Sequence, residues 1–237
     1  MESQYARVTG NLLQLSEQNL LDCAKAYFTP SDSDGCNGGQ AELGFNWVKA
    51  NKGINLRTAD PYTGSYSRKC TYNPTASGVS DVRVDGWVSV PADEDMIAAA
   101  IAQYGPVAAS IYANKNYIFA YSGGVYTDPT YTNQKVNHAI VIVGYDTDPV
   151  LGPYWIVRNS WGLNCGDNGS GYWKILRGKN MINIASDVKY PLVSNKKTPA
   201  PATTYPTFIA CSKGSPDGFY AYPGCKRFVN HYYTNSV

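Results

Sequence analysis

Two stretches decide how this chain reads: Asn137-His138-Ala139-Ile140-Val141-Ile142-Val143-Gly144-Tyr145 and Tyr154-Trp155-Ile156-Val157-Arg158-Asn159-Ser160-Trp161-Gly162. Each contains an apolar, β-branched run of strand length bounded by glycine or polar residues. A histidine heads the first strand, and an asparagine closes the second with a tryptophan two residues on. A histidine at a strand end is by itself most often a structural residue. Paired with an asparagine it suits a Cys–His–Asn relay. The imidazole takes a thiol proton, and the asparagine carbonyl accepts from the ring and fixes its tautomer.

Working outward, two further features and the end of the second stretch occur in order with these strands. They are Leu15-Ser16-Glu17-Gln18-Asn19-Leu20-Leu21-Asp22-Cys23, Gly35-Cys36-Asn37-Gly38-Gly39, and the run Asn159-Ser160-Trp161-Gly162 itself. With the His138 strand they resemble the papain family of cysteine peptidases, of the cathepsin L type, from Glu2 to about Val193. The resemblance implies an α+β papain-like fold, with a helical half, an antiparallel barrel-like sheet half and a cleft between them. It also implies hydrolysis of peptide bonds through a thioester intermediate. His138 would be the general base and acid, Asn159 its orienter, and Trp161 an apolar shield over their hydrogen bond.

The family's nucleophile lies in a Cys-Gly-Ser-Cys-Trp signature, with the His and Asn about 130–150 residues downstream. Counting back from His138 puts that cysteine near or before residue 1. Glu2-Ser3-Gln4-Tyr5 resembles the tail of the family's central helix, so the thiol is expected roughly ten residues upstream of Glu2. The oxyanion-hole glutamine, which precedes the signature, is missing as well. A reactive thiolate needs the positive end of a helix, about half a charge, together with an adjacent imidazolium. None of the cysteines in the sequence reads as such a site. The expectation is an endopeptidase family member that is inactive as the chain stands. The alternatives are a non-catalytic peptide- or chitin-associated binding protein and a silicatein-like serine variant.

A length of 237 residues can bury a full core, and a net charge of +2 does not imply a nucleic-acid partner. No apolar run reaches membrane-spanning length. Twenty tyrosines with few charges suit a secreted or lysosomal protein. The expected partners are peptide or protein substrates, the expected state is monomeric, and neither a metal nor an organic cofactor is expected. Neither a signal peptide nor a propeptide is recognised, although the family's peptidases are made with both, which fits a truncated sequence.

Six cysteines are present. By resemblance Cys23 pairs with Cys70, closing a 70 − 23 = 47-residue loop that is worth roughly 4 kcal/mol in the chain-entropy model. Cys36 is left without its family partner. Tyr131 and Ile182 stand where a further family bridge would be. Cys165 replaces the second tryptophan of the family's Trp-Gly-x-x-Trp-Gly run and is expected to be a buried free thiol.

Ser16 reads as the N-cap of a helix running to about Ala26. A second helix is expected over 40–52, with Leu43, Trp47 and Val48 inward and Gly53 as its stop. A third is expected over 93–104, with Ile97, Ile101 and Tyr104 inward and Gly105-Pro106 at its end. Strands are expected at 107–112, 138–145, 154–158 and 171–176. Peptidase-like sequence extends over 1–193, and 194–206 reads as a Pro/Thr-rich linker. Residues 207–237 resemble the opening of a type-2 chitin-binding, peritrophin-like module, through Cys211, Cys225 and interleaved aromatics. His231 stands there where a third cysteine is expected.

In the family, Gly38 and Gly39 would form the edge that pairs with substrate backbone, where a side chain would prevent close approach. The main specificity pocket would be lined by Ala41, Ser110, Val136, Ala139 and Asp187. An acidic floor at Asp187 favours a basic side chain. The competing expectation is a solvated aspartate paired with Lys189. Asn137 departs from the Asp found beside the histidine in many relatives, which removes a charge near the imidazole.

Overall fold

The structure, a computed structural model, describes residues 1–24, 35–67, 69–113, 118, 120–128 and 133–196. Expectations for Tyr131, for most of the linker and for the cysteine-containing tail lie outside the described residues. The chain divides into two compact units. Among the described residues, the first contains Met1–Val88 and 189–196, and the second contains Ser89–Val188.

The first unit carries helices α1 (Glu2–Thr9), α2 (Glu17–Cys23) and α3 (Ala41–Asn51). Helix α1 ends at Gly10, whose φ of 78° supplies the left-handed cap that L side chains resist. Ser16 caps α2 by accepting the Asn19 N–H at 2.8 Å, as its position before Glu17 predicts. Helix α3 buries Phe45, Trp47 and Val48, so Phe45 takes the inward place expected of Leu43, which is half-buried. It stops at Lys52, which adopts φ 55° one residue before Gly53. Cys23 and Cys70 form a disulfide with Cα atoms 4.6 Å apart.

Three strands were not anticipated from the sequence: the two-residue β3 (Val125–Tyr126), and β1 (Val82–Val90) and β7 (Val188–Asn195), which are neighbours in the sheet order. The alternating burial of Val82, Val84 and Gly86 marks β1 as a half-buried strand. Strand β7 carries the chain through Ser194 and Asn195. Lys189 is buried there, and its ammonium lies 3.1 Å from the Glu42 carboxylate, which offsets its desolvation.

The second unit starts with helix α4 (Glu94–Tyr104). Asp93 accepts the N–H groups of Asp95 and Met96 at 2.8 and 3.0 Å, and Glu94 and Asp95 place negative charge at the positive helix end. Met96 to Ile101 are all buried. Strands β2 (Val107–Ile111), β4 (His138–Asp148), β5 (Gly152–Arg158), β6 (Tyr172–Leu176) and the short β3 (Val125–Tyr126) follow, ordered β2-β4-β5-β6-β3. All pair antiparallel except β3 with β6, which is parallel, so the sheet is mixed rather than wholly antiparallel. Ile111, Ile142, Trp155, Val157 and Ile175 are fully buried. Each contributes about 1.5–3 kcal/mol relative to exposure. One carboxylate ties the far end of this layer. Glu94 accepts the Trp155 indole N–H and the Gly178 N–H at 2.8 Å, and the Asn180 N–H at 2.6 Å.

Candidate active site

His138 is the first residue of β4, and Asn159 follows the last residue of β5. Because β4 and β5 run antiparallel, with Val141 opposite Arg158, the start of one strand meets the end of the other. His138 Nε2 then lies 2.9 Å from Asn159 Oδ1. The Ser160 N–H donates to the same Oδ1 at 2.8 Å, so the atom facing the ring must be the acceptor end of the amide. An acceptor opposite Nε2 requires the proton on Nε2. Nδ1 is left with its lone pair, the form a general base needs. The backbone of Asn159 is held by its N–H to Gly171 O at 3.1 Å.

Trp161 lies against the imidazole, with ring centroids 4.6 Å apart and planes 30° apart. Behind it stands Trp173, only 1% exposed, at 5.2 Å from Trp161 in an edge-on arrangement and 6.4 Å from His138. The sequence reading placed Trp161 and overlooked Trp173. The signal was an inward position in the strand paired with the one that ends at Asn159, with Val157 opposite Trp173.

Asn137 has a backbone task. Its Oδ1 accepts the Ala113 N–H at 2.7 Å, its Nδ2 donates to Ala113 O at 3.3 Å, and its own N–H donates to Ile111 O at 2.9 Å. The amide prolongs the β2–β4 pairing by one imitation peptide. An ionised aspartate could only accept, which is a physical reason for the amide beside His138.

Ser110 and Ala139 face each other across β2 and β4. The Ser110 hydroxyl donates to Asp187 Oδ2 at 2.7 Å, and its N–H donates to Asp187 O at 3.0 Å. Three of the expected pocket residues thus gather beside the histidine's strand. Asp187 and Val136 are half-buried and Ala139 is exposed. In the first unit Gly38 and Gly39 are exposed and Ala41 is half-buried. Gly38 has φ 119°, a conformation that L side chains rarely adopt, and open space where a Cβ would stand.

Cys36 is an exposed free thiol. Cys165 is free but half-exposed rather than buried, because the loop after Trp161 lies at the surface around Leu163 and Asn164. Its sulfur lies 3.8 Å from Asn159 Nδ2, a contact the sequence reading did not foresee.

The family model described as "Papain family cysteine protease" matches residues 1–192. A curated "Cathepsin L-like" protein of Caenorhabditis elegans is 38% identical over 195 residues, covering 81% of this chain and 55% of that protein. Among solved structures, digestive procathepsin L 3 of Tenebrio molitor larval midgut is similar with a TM-score of 0.71 and 36% identity, over 80% of this chain and 59% of that one. Bromelain protease from Ananas comosus, in complex with the E64 inhibitor, is similar with a TM-score of 0.69 and 32% identity, over 80% and 83%. The chain spans about half the length of the curated relatives it matches.

Proposed function

This chain belongs to the papain family of cysteine proteases and is cathepsin L-like, and from that premise we propose that His138 and Asn159 are the proton-handling half of a thiol peptidase. His138 Nδ1 takes the proton of a cysteine thiol, and the thiolate attacks the scissile carbonyl. The imidazolium then protonates the leaving amine, and water resolves the thioester with His138 again as base. Asn159 holds the Nε2–H, and Trp161 with Trp173 keeps water from that bond. The observation that carries this reading is the 2.9 Å ring-to-amide contact whose polarity Ser160 fixes.

Residues 1–237 supply the dyad without the signature cysteine, so a polypeptide of these residues alone hydrolyses no peptide bond by a thiol mechanism. Loss of the nucleophile from a catalytic triad costs on the order of a millionfold in turnover. The test is purified 1–237 incubated with fluorogenic peptides and with an epoxide reagent that alkylates active-site thiols. The expected result is neither turnover nor alkylation of Cys36 or Cys165. Turnover abolished by the epoxide would overturn the reading.

We also propose that the Ser110–Asp187 pocket selects basic side chains. A charge-assisted contact contributes about 1.5–3 kcal/mol when partly desolvated, and the Ser110 hydroxyl donating to Asp187 Oδ2 at 2.7 Å helps to hold the carboxylate in place. A lysosomal or extracellular setting is supported by the Cys23–Cys70 disulfide.

A further inference from the structure

We infer that Cys165 is a positioning residue for the His138–Asn159 dyad: its sulfur accepts from Asn159 Nδ2 and so reinforces, from the nitrogen end, the amide orientation that Ser160 N–H sets at the oxygen end and that fixes the histidine tautomer. The inference rests on the proposed role of that dyad. A primary amide is nearly symmetric in shape, so packing alone does not decide which end faces the imidazole. Hydrogen bonds decide it. At Asn159 the oxygen end receives Ser160 N–H at 2.8 Å and faces His138 Nε2 at 2.9 Å. The nitrogen end has Cys165 Sγ at 3.8 Å.

The sulfur is held in place by its loop. The Cys165 N–H donates to Gly162 O at 3.3 Å. The next residue, Gly166, has φ 149° and lies so close to the Tyr172 backbone that a Cβ would sit 2.6 Å from Tyr172 O. The loop therefore meets β6 at a position only glycine fits, and Cys165 is aimed from a fixed backbone. Sulfur is a weak acceptor, but a half-buried one facing the nitrogen end of the amide adds to the preference that the Ser160 N–H sets at the oxygen end. With the amide reversed, its N–H groups would face the Nε2–H and Ser160 N–H donors, and His138 would move its proton to Nδ1 to relieve the clash. That form cannot accept a thiol proton.

The test reads the tautomer, which a purely structural thiol would not set. Nitrogen-15 NMR of the histidine rings in 1–237 is simple, because the sequence has two histidines and His138→Gln assigns the signal. With the ring neutral, wild type and Cys165→Ser should both show the proton on Nε2, since a hydroxyl also accepts from the amide. Cys165→Ala should raise the Nδ1–H fraction about two- to tenfold. Serine and alanine leave similar voids, so a packing role predicts that they behave alike, and that result would overturn the inference. An alanine variant with the wild-type tautomer would overturn it too. Asn159→Ala separates the two levels: if it leaves the His138 tautomer unchanged, the dyad reading itself fails. If the alanine variant at Cys165 does not fold, the Asn159 side-chain proton resonances decide. Replacing sulfur by oxygen in Cys165→Ser must shift one of them downfield, and unshifted resonances overturn the proposal.

Discussion

Between Ser16 and Ser67 the first unit is tied by side chains reaching distant backbone, whereas between Val107 and Leu176 the second is tied by strand ladders. In the first, Gln18 accepts from Thr63 N and Oγ1 and donates to Ser65 O. Asn19 accepts from Asn55 N, Ser16 donates to Asp60 O, and Asp22 accepts from Ser67 N. Ser16, Gln18 and Asn19 are at most 3% exposed, so each must find these partners or carry the cost of a buried unsatisfied group. In the second unit the backbone satisfies itself along β2, β4, β5 and β6, with side chains such as Glu94, Asn137 and Asp167 binding backbone outside the ladders. The contrast teaches that residue identity specifies the first unit and hydrophobic alternation specifies the second.

The sharpest way to test that contrast is to cut the covalent tie of the first unit. Cys23→Ser with Cys70→Ser opens a loop of 47 residues, which the chain-entropy model values at about 4 kcal/mol. Urea unfolding should register that loss. Native-state hydrogen exchange should rise first at amides 11–80, with β4, β5 and β6 following only on global unfolding. An equal rise in both units would erase the distinction.

A smaller change isolates one side chain of the motif. Asn19→Leu keeps volume and apolar burial but strands the Asn55 N–H, whose acceptor lies 3.0 Å away in the folded protein. We expect a loss of about 2 kcal/mol in chemical denaturation. In the second unit, the volume-conserving Ile142→Leu should cost less than about 1.5 kcal/mol, because the ladder does not depend on side-chain identity. If the two substitutions cost the same, identity matters no more in the first unit than in the second.

This difference also explains what the sequence made legible. Helix α4 and strands β2, β4, β5 and β6 follow from periodicity, and the Ser16 cap from its place before an amphipathic run. The meeting of His138 with Asn159 follows from two antiparallel apolar strands. The Ser16-to-Cys23 motif is readable as a family signature because nearly every polar side chain in it has a partner. What stayed hidden depends on contacts that no short period encodes. Strand β7 is not read from the sequence, because its buried Lys189 looks like a surface residue until Glu42 and the Trp87 ring, 6.0 Å from its nitrogen, are placed around it. The Cys165 contact lies in a loop whose path is set by Gly166 against Tyr172. Phe45 displaces Leu43 because the buried stripe of α3 is rotated from the one assumed.

The smallest effect concerns a charged tie within the second unit. Asp167 Oδ2 lies 2.8 Å from Lys174 Nζ, and its Oδ1 accepts the Gly124 N–H at 3.1 Å. The hydrogen bond from Lys174 first, and that from Gly124 after it, hold the Asp167 carboxyl below its usual range, although partial burial opposes them. The same pair holds the Lys174 ammonium above its usual range. The signs follow. A depressed carboxyl contributes stability that is present above the unfolded value, near 3.9, and is lost as pH falls through the lower folded value. A raised ammonium contributes stability that is present below the unfolded value, near 10.4, and is lost as pH rises through the folded one. The tie is therefore complete across neutral pH and fails at both extremes. With the Lys174 side chain 37% exposed, solvent screening limits it to about 1 kcal/mol or less. Asp148 also titrates below its usual range, through the Leu151 and Val150 N–H groups. The acid limb of wild type alone is thus ambiguous, and the useful quantity is its difference from Asp167→Asn. That difference in unfolding free energy should be largest near pH 6 and should shrink steadily below pH about 4. The neutral Asn19 tie of the first unit supplies the control: the difference between wild type and Asn19→Leu should stay flat over the same range. If the Asp167 difference is equally flat, the second unit has no ionic tie at Lys174 that acid can remove.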